Sequence, residues 1–138
     1  MAGDVAIKRK AIKPRGAEPG PPPRQSVLLR VALTDTMHLG PGKADLLEGI
    51  DATGSIAAAG RGMGMSYKRA WLLLDTMNEV FAEPVVAATK GGRAGGGARL
   101  TDTGRAVLAA YRRMEAAATR GVAREMPKLE KRMKPRGG

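Results

Sequence analysis

From Gln25 onward, Val27, Leu29, Val31 and Leu33 alternate with Ser26, Leu28, Arg30 and Ala32. A period of two predicts a β-strand with one firmly buried face. Thr34 to Thr36 reads as a turn, and Met37 to Leu39 as a short return strand. Gly40-Pro41-Gly42 then breaks the chain, with Pro41 suited to the first position of a helix. Leu46, Leu47 and Ile50 form an apolar stripe, which predicts about three turns of helix. The helix should stop near Thr53-Gly54, where Gly54 supplies a left-handed cap.

Ser55 is a good N-cap for a second helix, Ile56 to about Gly62, whose Ile56, Ala59 and Met63 share a face. Gly64 suits the turn that follows, because glycine takes a left-handed conformation without steric penalty. Ser66 then caps a longer helix, Tyr67 to about Phe81, with the stripe Ala70, Leu73, Leu74, Met77 and Phe81, closed by Pro84. Val85 to Thr89 reads as a strand, and Ala98 to Leu100 as its partner. Lys90 to Gly97 between them holds five glycines in eight residues. Thr101 caps a last helix with the stripe Val107, Ala110, Tyr111, Met114, Ala117 and Ala118, expected to end about Thr119, before Gly121. The fold class expected is mostly α with small β-hairpins, in the order of a winged helix-turn-helix.

Composition narrows the function classes. The 138 residues suffice for one domain with its own core. Aromatics are only 3%, so Leu, Val, Ile, Met and Ala must build that core. The absence of Cys excludes disulfides and thiolate metal sites. No apolar run approaches a membrane span, and no apolar signal core follows the N-terminus, so a cytoplasmic protein is expected. Net charge is +11. Residues 1–24, rich in Pro and expected to be a disordered basic tail, carry +4, and residues 119–138 carry +5. The domain is expected to span residues 25–120, with a second basic tail over 121–138. Excess positive charge attracts polyanions, but a tail-borne excess equally fits a solvated tail that aids solubility.

The distribution inside the domain says more. From Gly60 to Leu100 the basic residues are Arg61, Lys68, Arg69, Lys90, Arg93 and Arg99. The acids are Asp75, Glu79 and Glu83, all towards the C-terminal half of the third helix or just past it. In a helix-turn-helix the second helix of the motif enters the major groove of double-stranded DNA, and the helix before it braces the crossing. Small residues at the crossing are supplied by Ala58, Ala59 and Gly60. With Ala70, Leu74 and Met77 turned inward, the outer face shows Ser66, Tyr67, Lys68 and Trp71. Lys68 can reach a guanine edge or a phosphate. Tyr67 and Trp71 adjoin at a spacing of four, although a lone Trp is more often packing than a DNA contact. Arg61, Lys90, Arg93 and Arg99 are placed to grip phosphates or the minor groove, the last three from a glycine-rich wing.

The run Gly54-Ser-Ile-Ala-Ala-Ala-Gly-Arg-Gly-Met-Gly-Met-Ser-Tyr-Lys-Arg-Ala-Trp-Leu-Leu-Leu-Asp-Thr-Met-Asn78 resembles the N-terminal DNA-binding domain of the ModE molybdate-responsive regulators, which share a winged helix with LysR-type regulators. The resemblance extends back to Val27 and on through Leu100-Thr-Asp-Thr-Gly-Arg105. It implies that Ser66, Tyr67, Lys68 and Trp71 face DNA. It also implies a homodimer on inverted-repeat operators, with the strand region, the first helix and the final helix supplying dimer contacts. Gly60 and Gly62 depart from the family, which has Ala or longer side chains there. Full-length members carry molybdate-binding domains after the last helix. This chain ends at Gly138, so those sensing domains are expected to be lacking, and molybdate enters by family association alone.

Enzymatic readings find little support. Gly91 to Gly97 lacks the Gly-Lys-Ser/Thr ending of a phosphate-binding loop, and Gly60-x-Gly62-x-Gly64 has the wrong spacing for a dinucleotide fingerprint. Asp102-Thr103-Gly104 matches the aspartic-protease triplet only in letters, and reads as a helix start. His38 is the only His, so a His-based metal cluster is excluded. The expectation is therefore a regulator that is not an enzyme, with no cofactor and no membrane partner. The alternative is a non-specific nucleoid-associated or RNA-binding basic protein driven by its tails.

Overall fold

The computed structural model describes residues 27–89 and 97–135. The elements run β1 (Val31–Ala32), β2 (His38–Leu39), α1 (Pro41–Thr53), α2 (Ile56–Gly62), α3 (Tyr67–Val80), β3 (Val86–Thr89), β4 (Gly97–Leu100) and α4 (Asp102–Glu130). The fold is mostly α with two small antiparallel hairpins, β1–β2 and β3–β4. α1 is the centre of the core. Its Ala44, Leu46, Leu47 and Ile50 are fully buried, and it packs on α2, α3, α4 and β4.

The local signals that delimit the helices act as the side chains require. Gly54 ends α1 at φ 72, in the left-handed region, with its N–H on the Ile50 carbonyl. The Ser55 hydroxyl accepts from the Ala58 N–H and starts α2. Gly64 takes φ 71 in the turn, and the Ser66 hydroxyl accepts from the Arg69 N–H to start α3. Thr101 caps α4 through the Gly104 N–H.

Two sequence expectations need correction. The first strand is much shorter than Val27 to Leu33, because only Val31 and Ala32 pair, with Leu39 and His38. Its alternating face is half-buried rather than firmly buried, and Leu33 is 38% exposed. A two-stranded ribbon buries only what it lies over. α3 ends at Val80 with Phe81 as its C-cap, where its sequence places the end. The second correction is to α4, which does not stop near Thr119 but continues through Gly121 to Glu130. Residues 121–130, read as tail, are thus helical. A single Gly costs about 1 kcal/mol in a helix, and the Ala116-Ala117-Ala118 run before it favours helix enough to carry the chain past. At 1.5 Å per residue α4 is about 43 Å long, whereas its buried residues, Gly104, Val107 and Tyr111, all lie in its first ten positions.

Two polar interactions tie the middle of α4 to distant parts of the chain. The Tyr111 hydroxyl donates to the Leu29 carbonyl at 2.7 Å, anchoring the stretch before β1. Arg112 bridges α4 to α1. Its Nη2 lies 2.8 Å from Asp45 and 2.7 Å from Glu48, and its Nη1 3.0 Å from Glu115. Partial burial alone would lower the pKa of Arg112. Its hydrogen bonds to these three carboxylates outweigh that and hold the guanidinium firmly charged.

Burial pushes the Tyr111 phenol above its ordinary value, helped by the charge of Glu115 and opposed by Arg112. A group whose folded pKa is raised gives stability that is full below its unfolded value. That stability is lost as pH rises towards the folded value. For Tyr111 the loss begins above about pH 10. Tyr111→Phe is expected to be less stable by about 1 kcal/mol near neutrality, from the lost hydrogen bond, and to lose less than the wild type between pH 9 and pH 11. Urea unfolding at both pH values checks this, and an equal alkaline loss in the two proteins would refute it.

Candidate nucleic-acid interface

α2, the turn and α3 are held as one unit. The Met63 and Met65 N–H groups both reach the Gly60 carbonyl, at 3.0 and 2.9 Å, and Gly64 N–H reaches Arg61 at 3.0 Å. The helices cross at small residues. Gly60 is buried, and a methyl group there would lie 3.5 Å from the Ala70 side chain. Gly49 of α1 meets Ala59 of α2 more closely still, since a methyl group there would lie 3.0 Å from the Ala59 side chain. α3 sends Ala70, Leu74 and Met77 into the core, as its stripe predicts.

The outer face of α3 begins with residues that the sequence singled out. Ser66, Tyr67 and Lys68 are all exposed, Tyr67 by 57%. Since Ser66 Oγ takes the Arg69 N–H, the Tyr67 and Lys68 N–H groups at the start of the helix remain directed outward, where they suit an anion. Trp71 differs from expectation. It is half-buried and packs against the core, with its ring edge-to-face on Tyr67 at 6.3 Å between centroids. It forms one wall of an open cleft of about 490 Å³ between the start of α3 and the β3–β4 hairpin, lined also by Tyr67, Ala88 and Gly97. Trp71 therefore supports Tyr67 from below as much as it faces outward.

Sequence reasoning missed Leu72 and Arg69 on this face. Leu72 is 50% exposed and lies one turn on from Lys68, in the outward row that continues to Asp75 and Glu79. That spacing of four was the available signal. The acids sit at the far end of this row, so α3 presents its basic end and its acidic end separately.

The hairpin is fixed at its base. Asn78 Oδ1 accepts from the Val85 N–H at 2.8 Å, and the Val85 carbonyl accepts from the Thr101 N–H at 3.0 Å. The Ala98 N–H reaches the Gly54 carbonyl at the end of α1. In β4 the alternation Ala98, Arg99, Leu100 buries the flanking pair and exposes Arg99, opposite Ala87 of β3. Arg61 at the end of α2 is also exposed. Lys90 and Arg93 lie outside the described residues. Among the described residues no group of His, Cys, Asp or Glu could hold a metal ion, and no helix is long and apolar enough to cross a membrane.

These elements make a helix–turn–helix backed by a two-stranded hairpin, with basic and aromatic residues at the start of its outer helix. No family model matches the chain. Among curated proteins, the molybdenum-pterin-binding protein MopB of Rhodobacter capsulatus is 43% identical over 121 residues, covering 88% of this chain and 42% of MopB. The molybdenum transport protein ModE of Azotobacter vinelandii is 46% identical over 84 residues, 61% of this chain and 29% of the relative. The DNA-binding transcriptional dual regulator ModE of Escherichia coli K12 is 34% identical over 85 residues, 62% and 32%. The chain is thus similar to ModE and Mop proteins, and it spans less than half the length of these relatives.

Proposed function

We propose that this chain is a winged helix-turn-helix module that binds double-stranded DNA as a transcriptional regulator of the ModE type. α3 enters the major groove, and the β3–β4 hairpin is the wing. The observation that carries the reading is the polarity of α3. Its exposed start bears Ser66, Tyr67, Lys68 and Arg69, and its exposed acids lie at the other end. Leu72 adds an apolar contact of the kind that meets a thymine methyl. Arg61 and Arg99 flank this surface and grip the backbone, as Lys90 and Arg93 do from the wing.

The module works as a homodimer. Beyond its buried first turns, α4 carries Val122, Met126 and Leu129 at spacings of four and three, the pattern of a helix–helix seam. Leu129 is 57% exposed and Val122 and Met126 are half-buried. Dimerisation would place two α3 helices on an inverted repeat.

Selection of bound duplexes from random DNA, with and without molybdate, tests the function. The expected outcome is enrichment of an inverted repeat, bound at least about 10³-fold tighter than random duplex at physiological salt. A chain that enriches no sequence, and whose binding collapses with salt on every duplex alike, is the tail-driven polyanion binder instead. Sedimentation that shows a monomer at micromolar concentration would end the dimer proposal.

A further inference from the structure

Arg30 and Lys43 converge on the start of α1, and the charge of Arg69, on α3, reaches Lys43; none of the three was assigned a role in DNA binding from the sequence. The β1–β2 register pairs Val31 with Leu39, so Arg30 lies opposite Gly40, the N-cap of α1. The Arg30 Cγ comes within 3.4 Å of where a Gly40 side chain would begin. One turn on, Lys43 is half-buried and its Nζ donates to the His38 carbonyl at 3.0 Å. Arg69 stands in the first turn of α3. Burial pushes the Lys43 ammonium below its ordinary pKa, and the charges of Arg30 and Arg69 push it further. Among the described residues no carboxylate forms an ion pair with any of the three. Neither α1 nor α3 has an acid in its first turn, and Gly40 provides no side-chain cap to α1. Like charges held together around a half-buried ammonium cost stability unless an anion joins them.

We propose that Arg30, Lys43 and Arg69 form a clamp for a DNA phosphate on the strand beside the groove that α3 enters. This rests on the DNA-binding reading above. The clamp positions the domain on the backbone and carries no sequence information.

The test is the salt dependence of affinity for two probes, a duplex recovered by selection and a random duplex of the same length. The proteins are the wild type, Arg30→Gln, Lys43→Gln, Arg69→Gln, the charge-preserving Arg69→Lys, and Lys128→Gln on the distant part of α4. Each clamp variant should weaken both duplexes by a similar factor and lower the salt slope by about 1 per protomer. Arg69→Lys and Lys128→Gln should keep the wild-type slope. Melting temperatures of the Gln variants should equal or exceed that of the wild type, since each relieves like-charge repulsion. An unchanged slope in all three Gln variants overturns the clamp while leaving the DNA-binding reading intact. So does a loss confined to the selected duplex, or an Arg69→Lys slope as low as that of Arg69→Gln. A wild type that binds neither duplex overturns both.

Discussion

Gly104→Ala is expected to destabilise the domain by about 3 kcal/mol or more, at the upper end of what overpacking costs. Gly104 is fully buried in the first turn of α4. A methyl group there would overlap the carbonyl of Val85, with the Leu100 side chain 3.4 Å away. The obstacle is backbone, so no rotamer change relieves it. Nor can Val85 withdraw freely. Its carbonyl accepts from the Thr101 N–H at 3.0 Å and its own N–H is held by Asn78 at 2.8 Å. Any shift therefore breaks the lock that joins α3, the hairpin and α4. Urea unfolding followed by circular dichroism reads the effect. A variant within about 0.5 kcal/mol of the wild type, the range of a neutral surface substitution, would show that this close approach is not needed.

The same glycine shows where sequence patterns are informative. In letters, Asp102-Thr103-Gly104 is a protease triplet. In the structure Thr101 caps the helix, Asp102 begins it, and Gly104 makes room for a neighbouring strand. The helix starts and stops around α1, α2 and α3 were legible because capping is local. A Ser hydroxyl reaches an N–H three residues on, and a glycine turn needs only itself. The outer face of α3 was legible through its period, apart from Trp71 and Leu72. The core claims part of the Trp71 ring, a tertiary effect that period alone does not reveal.

What stayed hidden depends on partners distant in the chain. Arg112 meets Asp45 and Glu48 across 67 and 64 residues, and Tyr111 meets Leu29 across 82. Nothing local to Arg112 marks it as a bridge. Arg30, Lys43 and Arg69 could not be linked from the sequence for the same reason, since they lie before β1, on α1 and on α3. The length of α4 was misjudged in the opposite way. Gly121 is a local stop signal, and the helix-forming residues around it outweigh that signal. Lys90 and Arg93 lie outside the described residues, so Arg99 is the cation of the β3–β4 hairpin whose place in the fold is described.

Lys68→Ala should then reduce affinity for the selected duplex by about 10- to 100-fold, matching the 1–3 kcal/mol of one good base contact. Lys68 is exposed in the first turn of α3, and none of the ion pairs or side-chain hydrogen bonds among the described residues involves it. Its removal should leave the melting temperature unchanged, so the loss reports the interface and not the fold. If Lys68 reads a base, affinity for random duplex falls much less, and renewed selection recovers relaxed sequences at one position of each half-site. If it holds only a phosphate, both duplexes weaken alike and the selected sequence is unchanged. Trp71→Ala is the contrasting variant. Because Trp71 packs against the core and under Tyr67, it should lower stability and binding together. A Lys68→Ala protein that binds the selected duplex as tightly as the wild type removes Lys68 from the interface. α3 would then need to meet DNA through a different part of its surface than its basic first turn.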